Sequence, residues 1–284
     1  MLRFAHMNRT LISILLFALP FSAQTQKTLM DDLNVLLMHS TFLIVGPSAK
    51  EPNKTVFGTV FVIGVPYKTN PTRANYTLVT ASHVLDDISG DVARLLMRTR
   101  ADDGTYSTFW YDLSIRQNGK SLYIKHSTAD VAAMYISMPQ NVPLPLLSMD
   151  FLADDKRLED LELHPGDEAY CLGFPLMTTT PGGFPILRTG RIASYPITPS
   201  ATVRSVIFDI FVYPGNSGGP VYFVYDNRVI KGTTNFARRQ GILGLVIQQG
   251  NSNIPEFADK PLNLGVIVPA YFIRETIAML PEPK

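Results

Sequence analysis

Apolar positions fall into short β-type runs punctuated by Gly, Pro, Asn and Asp, the residues that favour turns. After a short helical stretch over residues 27–37, one series occupies 41–45, 55–65, 76–80, 93–98, 107–116, 121–125 and 131–136. A second series occupies 168–172, 187–194, 206–212, 221–225, 229–232, 242–248 and 264–268. Asn118-Gly119 marks a two-residue hairpin, because both residues accept the positive φ of a tight turn. Asp226-Asn227 marks a further hairpin tip, and residues 271–279 a closing helix. Two groups of short strands predict an all-β fold of two packed barrels with a C-terminal helix. The expected divisions are a lead segment at 24–54, a first barrel at 55–137, a connector at 138–162 and a second barrel with the helix at 163–284. Pro139, Pro143, Pro145 and the acidic Asp150, Asp154 and Asp155 give the connector its character.

The N-terminus breaks this pattern. Arg3 and Arg9 precede an apolar stretch over 11–21, and Ser22-Ala23-Gln24 follows. A basic start, a short apolar middle and small residues predict a signal peptide over 1–23, cleaved after Ala23, with Met7 as an alternative start. That places the mature protein in the bacterial periplasm or the medium, with no stable membrane insertion after signal removal; retention as an anchor is the competing reading. With 284 residues, the chain is long enough for a sizeable core. Its 25 basic and 24 acidic side chains are scattered, which argues against nucleic acid or an anionic membrane surface as partner. Cys171 is the only cysteine, so no internal disulfide forms, and its apolar flanks predict a buried thiol rather than a nucleophile.

Candidate chemistry centres on Gly215-Asn216-Ser217-Gly218-Gly219-Pro220, directly before an apolar strand. Glycines let the chain turn tightly enough for the Gly215 and Ser217 amides to converge as an oxyanion hole. A serine hydroxyl needs a neighbouring base, and the base needs an orienting acid. Of the five histidines, His83 lies where the strand-like Leu78-Val79-Thr80 runs out into Ala81-Ser82. His6 falls in the signal, His39 near the N-terminal edge, and His126 and His164 in polar, turn-like settings. Asp130 opens the apolar Val131-Ala132-Ala133 and is the strongest candidate acid, with Asp91 and Asp112 as weaker alternatives. The histidines do not cluster at metal-ligand spacings, no phosphate or dinucleotide loop occurs, and no cofactor is expected.

Thr80-Ala81-Ser82-His83, Asp130-Val131-Ala132 and Gly215-Asn216-Ser217-Gly218-Gly219-Pro220 together resemble the signatures of trypsin-like, chymotrypsin-fold serine proteases. Gly58-Thr59-Val60, Pro165-Gly166-Asp167, Leu172-Gly173-Phe174-Pro175, Thr189-Gly190-Arg191 and Leu264-Gly265-Val266 are most similar to the bacterial Deg-type branch. The resemblance implies two six-stranded antiparallel barrels and a catalytic triad of Ser217 as nucleophile, His83 as base and Asp130 as its orienter. It implies endopeptidase action on unfolded or flexible protein and peptide substrates. A catalytically silent, partner-binding relative is the alternative. Asn216 stands where digestive relatives carry the aspartate that pairs with a freed N-terminus, so activation cleavage of that kind is not expected. No residues follow Lys284 to form the peptide-binding PDZ module of many Deg-type proteases, and a stand-alone protease is expected. Phe211, Val246 and Ile247 fall on the walls of the family's substrate pocket, with Phe211 at its base, implying a small or medium apolar residue before the cut bond.

Overall fold

The computed structural model describes residues 32–67, 74–251 and 261–281. Residues 1–23, expected from the sequence to be a signal, with Met7 and Ala23, lie outside the described residues. Among the described residues, no helix is long and apolar enough to cross a membrane.

Helix α1 (Leu33–Ser40) leads into strand β1 (Thr41–Pro47). Asp32 caps the helix by accepting the Asn34 amide at 2.9 Å, one of the donors a helix start leaves free. Strands β2 (Thr55–Pro66), β3 (Ala74–Thr80), β4 (Val92–Arg100), β5 (Tyr106–Ser114), β8 (Ile124–Lys125) and β9 (Ala132–Tyr135) complete a sheet of order β5-β4-β1-β2-β3-β9-β8. It has seven strands rather than six because the two-residue β8 adds to β9 through Ile124↔Ala133. It also begins at Thr41, inside the segment expected to be a lead. Residues 41–47 pair with β2 on one side and β4 on the other, which buries Phe42 and Ile44. The one-turn helix α2 (Ser82–Asp86) follows β3. Asn118 and Gly119 have φ of 52° and 75° and link the short strands β6 (Arg116–Gln117) and β7 (Lys120–Ser121), the turn their chemistry predicts.

The connector holds helix α3 (Asp155–Asp160). Beyond it, β10 (Glu168–Gly173), β11 (Ile186–Ile192), β12 (Val206–Asp209), β13 (Pro220–Val229), β14 (Phe236–Asn251) and β15 (Pro261–Pro269) close a six-stranded barrel. The short helix α4 (Ser200–Val203) precedes β12. Asp226-Asn227 is not a hairpin tip: β13 runs through it with a bulge between Tyr225 and Arg228, and the turn to β14 falls at 230–235. Arg228 draws that stretch inward by donating to both carboxylate oxygens of Asp167, at 2.9 and 3.0 Å. The two sheets form a trypsin-like double-barrel arrangement.

The C-terminal helix α5 (Ala270–Ala278) returns to the first sheet, where Phe272, Ile273 and Ile277 join its core. Leu172, Tyr222 and Leu245 of the second barrel lie in that same cluster, so the two halves meet through apolar packing. Arg98 adds a polar tie. Only 2% exposed, it donates from β4 to the carbonyls of His39, Thr41 and Gly183, each at 2.9 Å. Its guanidinium lies between the rings of Phe42 and Phe184, 4.5 and 4.6 Å from their centres. Burial lowers its pKa to about 10.

Candidate active site

The first half of the site follows from strand register. Strands β3 and β9 are antiparallel with Thr80 opposite Ala132, so the chain just beyond one meets the chain just before the other. His83 and Asp130 therefore face each other. His83 Nδ1 lies 2.6 Å from Asp130 Oδ2, while the His83 amide donates to Oδ1 at 3.0 Å. The Ser82 hydroxyl donates to the same Oδ1 at 2.5 Å. Buried Val84 and Leu85 anchor α2 beneath the imidazole. Burial pushes the Asp130 carboxyl up, but the hydrogen bond and charge of His83, with the Ser82 hydroxyl, outweigh it and hold the group at about 2. This carboxylate is ionised across the neutral range, so its contact with Nδ1 favours the tautomer that carries the proton on Nδ1. Asp91 and Asp112 lie elsewhere: Asp91 accepts the Gly119 amide at the β6–β7 turn, and Asp112 sits on β5.

The second half is the turn between β12 and β13. Gly215 and Gly218 have φ of +97° and +85°, values open to glycine. A Cβ on Gly215 would stand 2.2 Å from the Phe174 carbonyl oxygen, and one on Gly218 2.1 Å from Thr59 O and Thr80 Oγ1. The turn is thus pressed against β2 and the end of β3, beside the segment that carries His83. Thr59 is its main anchor. The Thr59 amide donates to Ser217 O at 2.8 Å, and the Thr59 hydroxyl donates to Gly215 O at 2.6 Å while accepting the Phe174 amide at 3.2 Å. On the other side the Gly218 amide donates to Val246 O at 2.7 Å, and the Val246 amide to Gly219 O at 2.9 Å.

Asn216 is 1% exposed and wired within the turn: its amide donates to Tyr213 O at 3.0 Å and its side-chain oxygen accepts the Tyr213 amide at 3.2 Å. The turn is held by neutral hydrogen bonds rather than by an ion pair. Among the described residues, the amides of Gly215 and Ser217 donate to no backbone acceptor, whereas their carbonyls are both engaged. The Leu176 amide donates to Pro214 O at 2.8 Å and so fixes the peptide whose N–H belongs to Gly215. The Ser217 hydroxyl donates to Ile247 O at 3.4 Å.

The expected pocket walls separate in the structure. Phe211 is half-buried and packs on Tyr213, ring centres 4.3 Å apart, with the Arg188 guanidinium 5.2 Å over the Tyr213 ring. Ile247 is half-exposed. Val246 does not line a pocket with its side chain. It is 0% exposed in the core of the second barrel, because the alternation along β14 turns it inward, and only its backbone meets the serine turn. Cys171 is 2% exposed, and burial raises its pKa to about 12, which leaves the thiol unreactive.

Ser82 and Thr59 escape a reading of sequence alone. Both fall inside motifs that the sequence shows, but hydroxyls are too common in strands and turns for position to reveal a partner 48 or 156 residues away.

Among the described residues, no hydrogen bond joins Ser217 to His83. Even so, a double barrel with a histidine–aspartate pair on one sheet and a glycine-rich serine turn from the other has the architecture of a trypsin-like peptidase. The sequence profile of the trypsin-like peptidase domain matches residues 58–230, and the chain belongs to that family. Among solved structures, the chain is similar to the active form of the Rv3671c protease from M. tuberculosis, at 17% sequence identity and a TM-score of 0.48. The likeness covers 90% of this chain and 87% of that one. A comparison with curated proteins gives no match.

Proposed function

We propose that this protein is an exported serine endopeptidase of the Deg-type branch that cleaves unfolded or flexible polypeptides. The observation that carries the reading is the His83–Asp130 contact of 2.6 Å beside a turn whose Gly215 and Ser217 amides are free to bind an oxyanion. In the proposed reaction the Ser217 hydroxyl leaves the Ile247 carbonyl and attacks the scissile carbonyl. Its proton passes to His83 Nε2, which returns it to the leaving amine. Asp130 holds the imidazole in the productive tautomer and stabilises the imidazolium. The two amides stabilise the tetrahedral oxyanion, each worth about 3 kcal/mol in the transition state. Water then attacks the acyl-enzyme by the same route.

Phe211, at the position where the family's pocket base falls, carries no carboxylate, which supports a preference for small or medium apolar residues before the cut bond. The basic start, short apolar stretch and Ser22-Ala23 support export. Asn216, already satisfied within the turn, supports activity without activation cleavage.

The test is degradation of casein by the purified protein, with labelling by a fluorophosphonate probe. Wild type is expected to cleave and to label, and Ser217→Ala to do neither. A wild type that the probe does not label would overturn the reading in favour of a silent, partner-binding protein. Cell fractionation with N-terminal sequencing tests export separately.

A further inference from the structure

His126 lies on the loop that carries Asp130, in what reads as a polar turn, yet its side chain is only 9% exposed. Its Nδ1 accepts the amides of Thr128 at 3.2 Å and Ala129 at 3.0 Å. A ring nitrogen that accepts from backbone donors carries no proton, so the proton sits on Nε2, which donates to Glu275 Oε2 at 3.1 Å. Accepting from the second and third following amides is the pattern by which Asn and Asp shape turns, done here by an imidazole. Glu275 belongs to α5, and Phe272 on the same helix meets the imidazole edge-on, ring centres 5.1 Å apart. The loop has a second fastening, because the Arg204 guanidinium donates to Thr128 O at 2.6 Å. Every restraint here converges on the few residues before Asp130, whose carboxylate must meet His83 at hydrogen-bond distance.

We infer that His126 is a positioning residue for the reaction: it shapes the loop and links it to α5, so that Asp130 is held on His83. The inference rests on the proposed triad. Displacing a catalytic group by about 1 Å costs on the order of 10²-fold in rate. Substrate binding is built from other parts of the cleft, so KM should not follow.

The test uses the full-length protein with a chromogenic peptide and the fluorophosphonate probe. His126→Leu is expected to lower kcat and the labelling rate by about 10²-fold, with KM changed by less than about 3-fold. His126→Asn, whose side-chain oxygen can accept the same two amides, is expected to recover most of that loss. In an Asp130→Ala background, His126→Leu should change the labelling rate by less than about 2-fold, since its effect runs through the carboxylate. Should leucine leave the chain unfolded, His126→Ala replaces it with the same readings. Full kcat in a folded His126→Leu, an Asn variant no better than Leu, or additive losses with Asp130→Ala would each overturn the inference. A wild type that does not label overturns the proposed function as well, which separates the two failures.

Discussion

Thr59→Val isolates the contact that joins the serine turn to the first sheet. The substitution keeps the β-branched shape and deletes only the hydroxyl, which donates to Gly215 O at 2.6 Å and accepts the Phe174 amide at 3.2 Å. Thr59, Gly215 and Phe174 are all buried, so water cannot replace either bond. A stranded buried backbone group costs about 1–3 kcal/mol, and two of them, with partial relaxation, cost about 3 kcal/mol. For a protein of this size that corresponds to a fall in Tm of roughly 6–12 °C. Activity should fall further than stability alone requires, because Gly215 O belongs to the same turn as the two oxyanion amides. We expect a drop of about 10-fold or more in the fluorophosphonate labelling rate, measured well below Tm. Thr59→Ser, which loses only a methyl group, should cost about 1 kcal/mol and keep the labelling rate. A valine variant that melts within about 2 °C of wild type and labels at the wild-type rate would refute the role given to this hydroxyl.

Four further outcomes follow from the same structure. Arg98→Met leaves the carbonyls of His39, Thr41 and Gly183 without their donor and should cost about 3–5 kcal/mol in urea unfolding. Lysine should restore only part, because a compact ammonium cannot reproduce the planar fork. Gly218→Ala places a methyl 2.1 Å from Thr59 O at a φ of +85°, and should remove activity by more than about 10²-fold. Gly119→Ala, at a φ of +75° with open space around it, should reduce stability by about 1 kcal/mol and leave activity intact. Acid unfolding tests Asp130. Its carboxyl ionises at about 2 in the folded protein against 3.8 when unperturbed, so its stabilisation is complete above about pH 5 and is lost as pH falls towards 2. The shift corresponds to at most about 2 kcal/mol, reduced by solvent screening to about 1 kcal/mol. Between pH 5 and pH 2, wild type should therefore lose about 1 kcal/mol more than Asp130→Asn in urea titrations, and equal losses would contradict the pairing.

The double-barrel fold was legible because its strands are short, apolar and bounded by turn residues whose backbone demands are local. Asn118-Gly119 illustrates this: its φ values depend on nothing beyond the dipeptide. Asp226-Asn227 shows the limit, since the same local preference lost to the ion pair between Arg228 and Asp167, which keeps the strand running. The His83–Asp130 contact was legible because each residue sits at the mouth of an apolar strand and register does the rest. Thr59, Ser82 and Arg98 were not, because their partners are remote in sequence and their residue types are ordinary in strands. His126 looked solvated among polar neighbours, and only the return of α5 buries it. Val246 shows that a segment can line a cleft with its backbone while its side chain belongs to the core.

That return of α5 also sets an order in time. Synthesis makes the first sheet early, with its histidine and its acid-bearing loop, and then a whole second barrel before Phe272 and Glu275 emerge. A chain interrupted after the serine turn would possess every residue of the proposed triad and yet lack the helix against which the Asp130 loop rests. On the proposed function, such incomplete copies are expected to be inactive, because β13, β14, β15 and the helix that rests on the Asp130 loop all come after the serine turn.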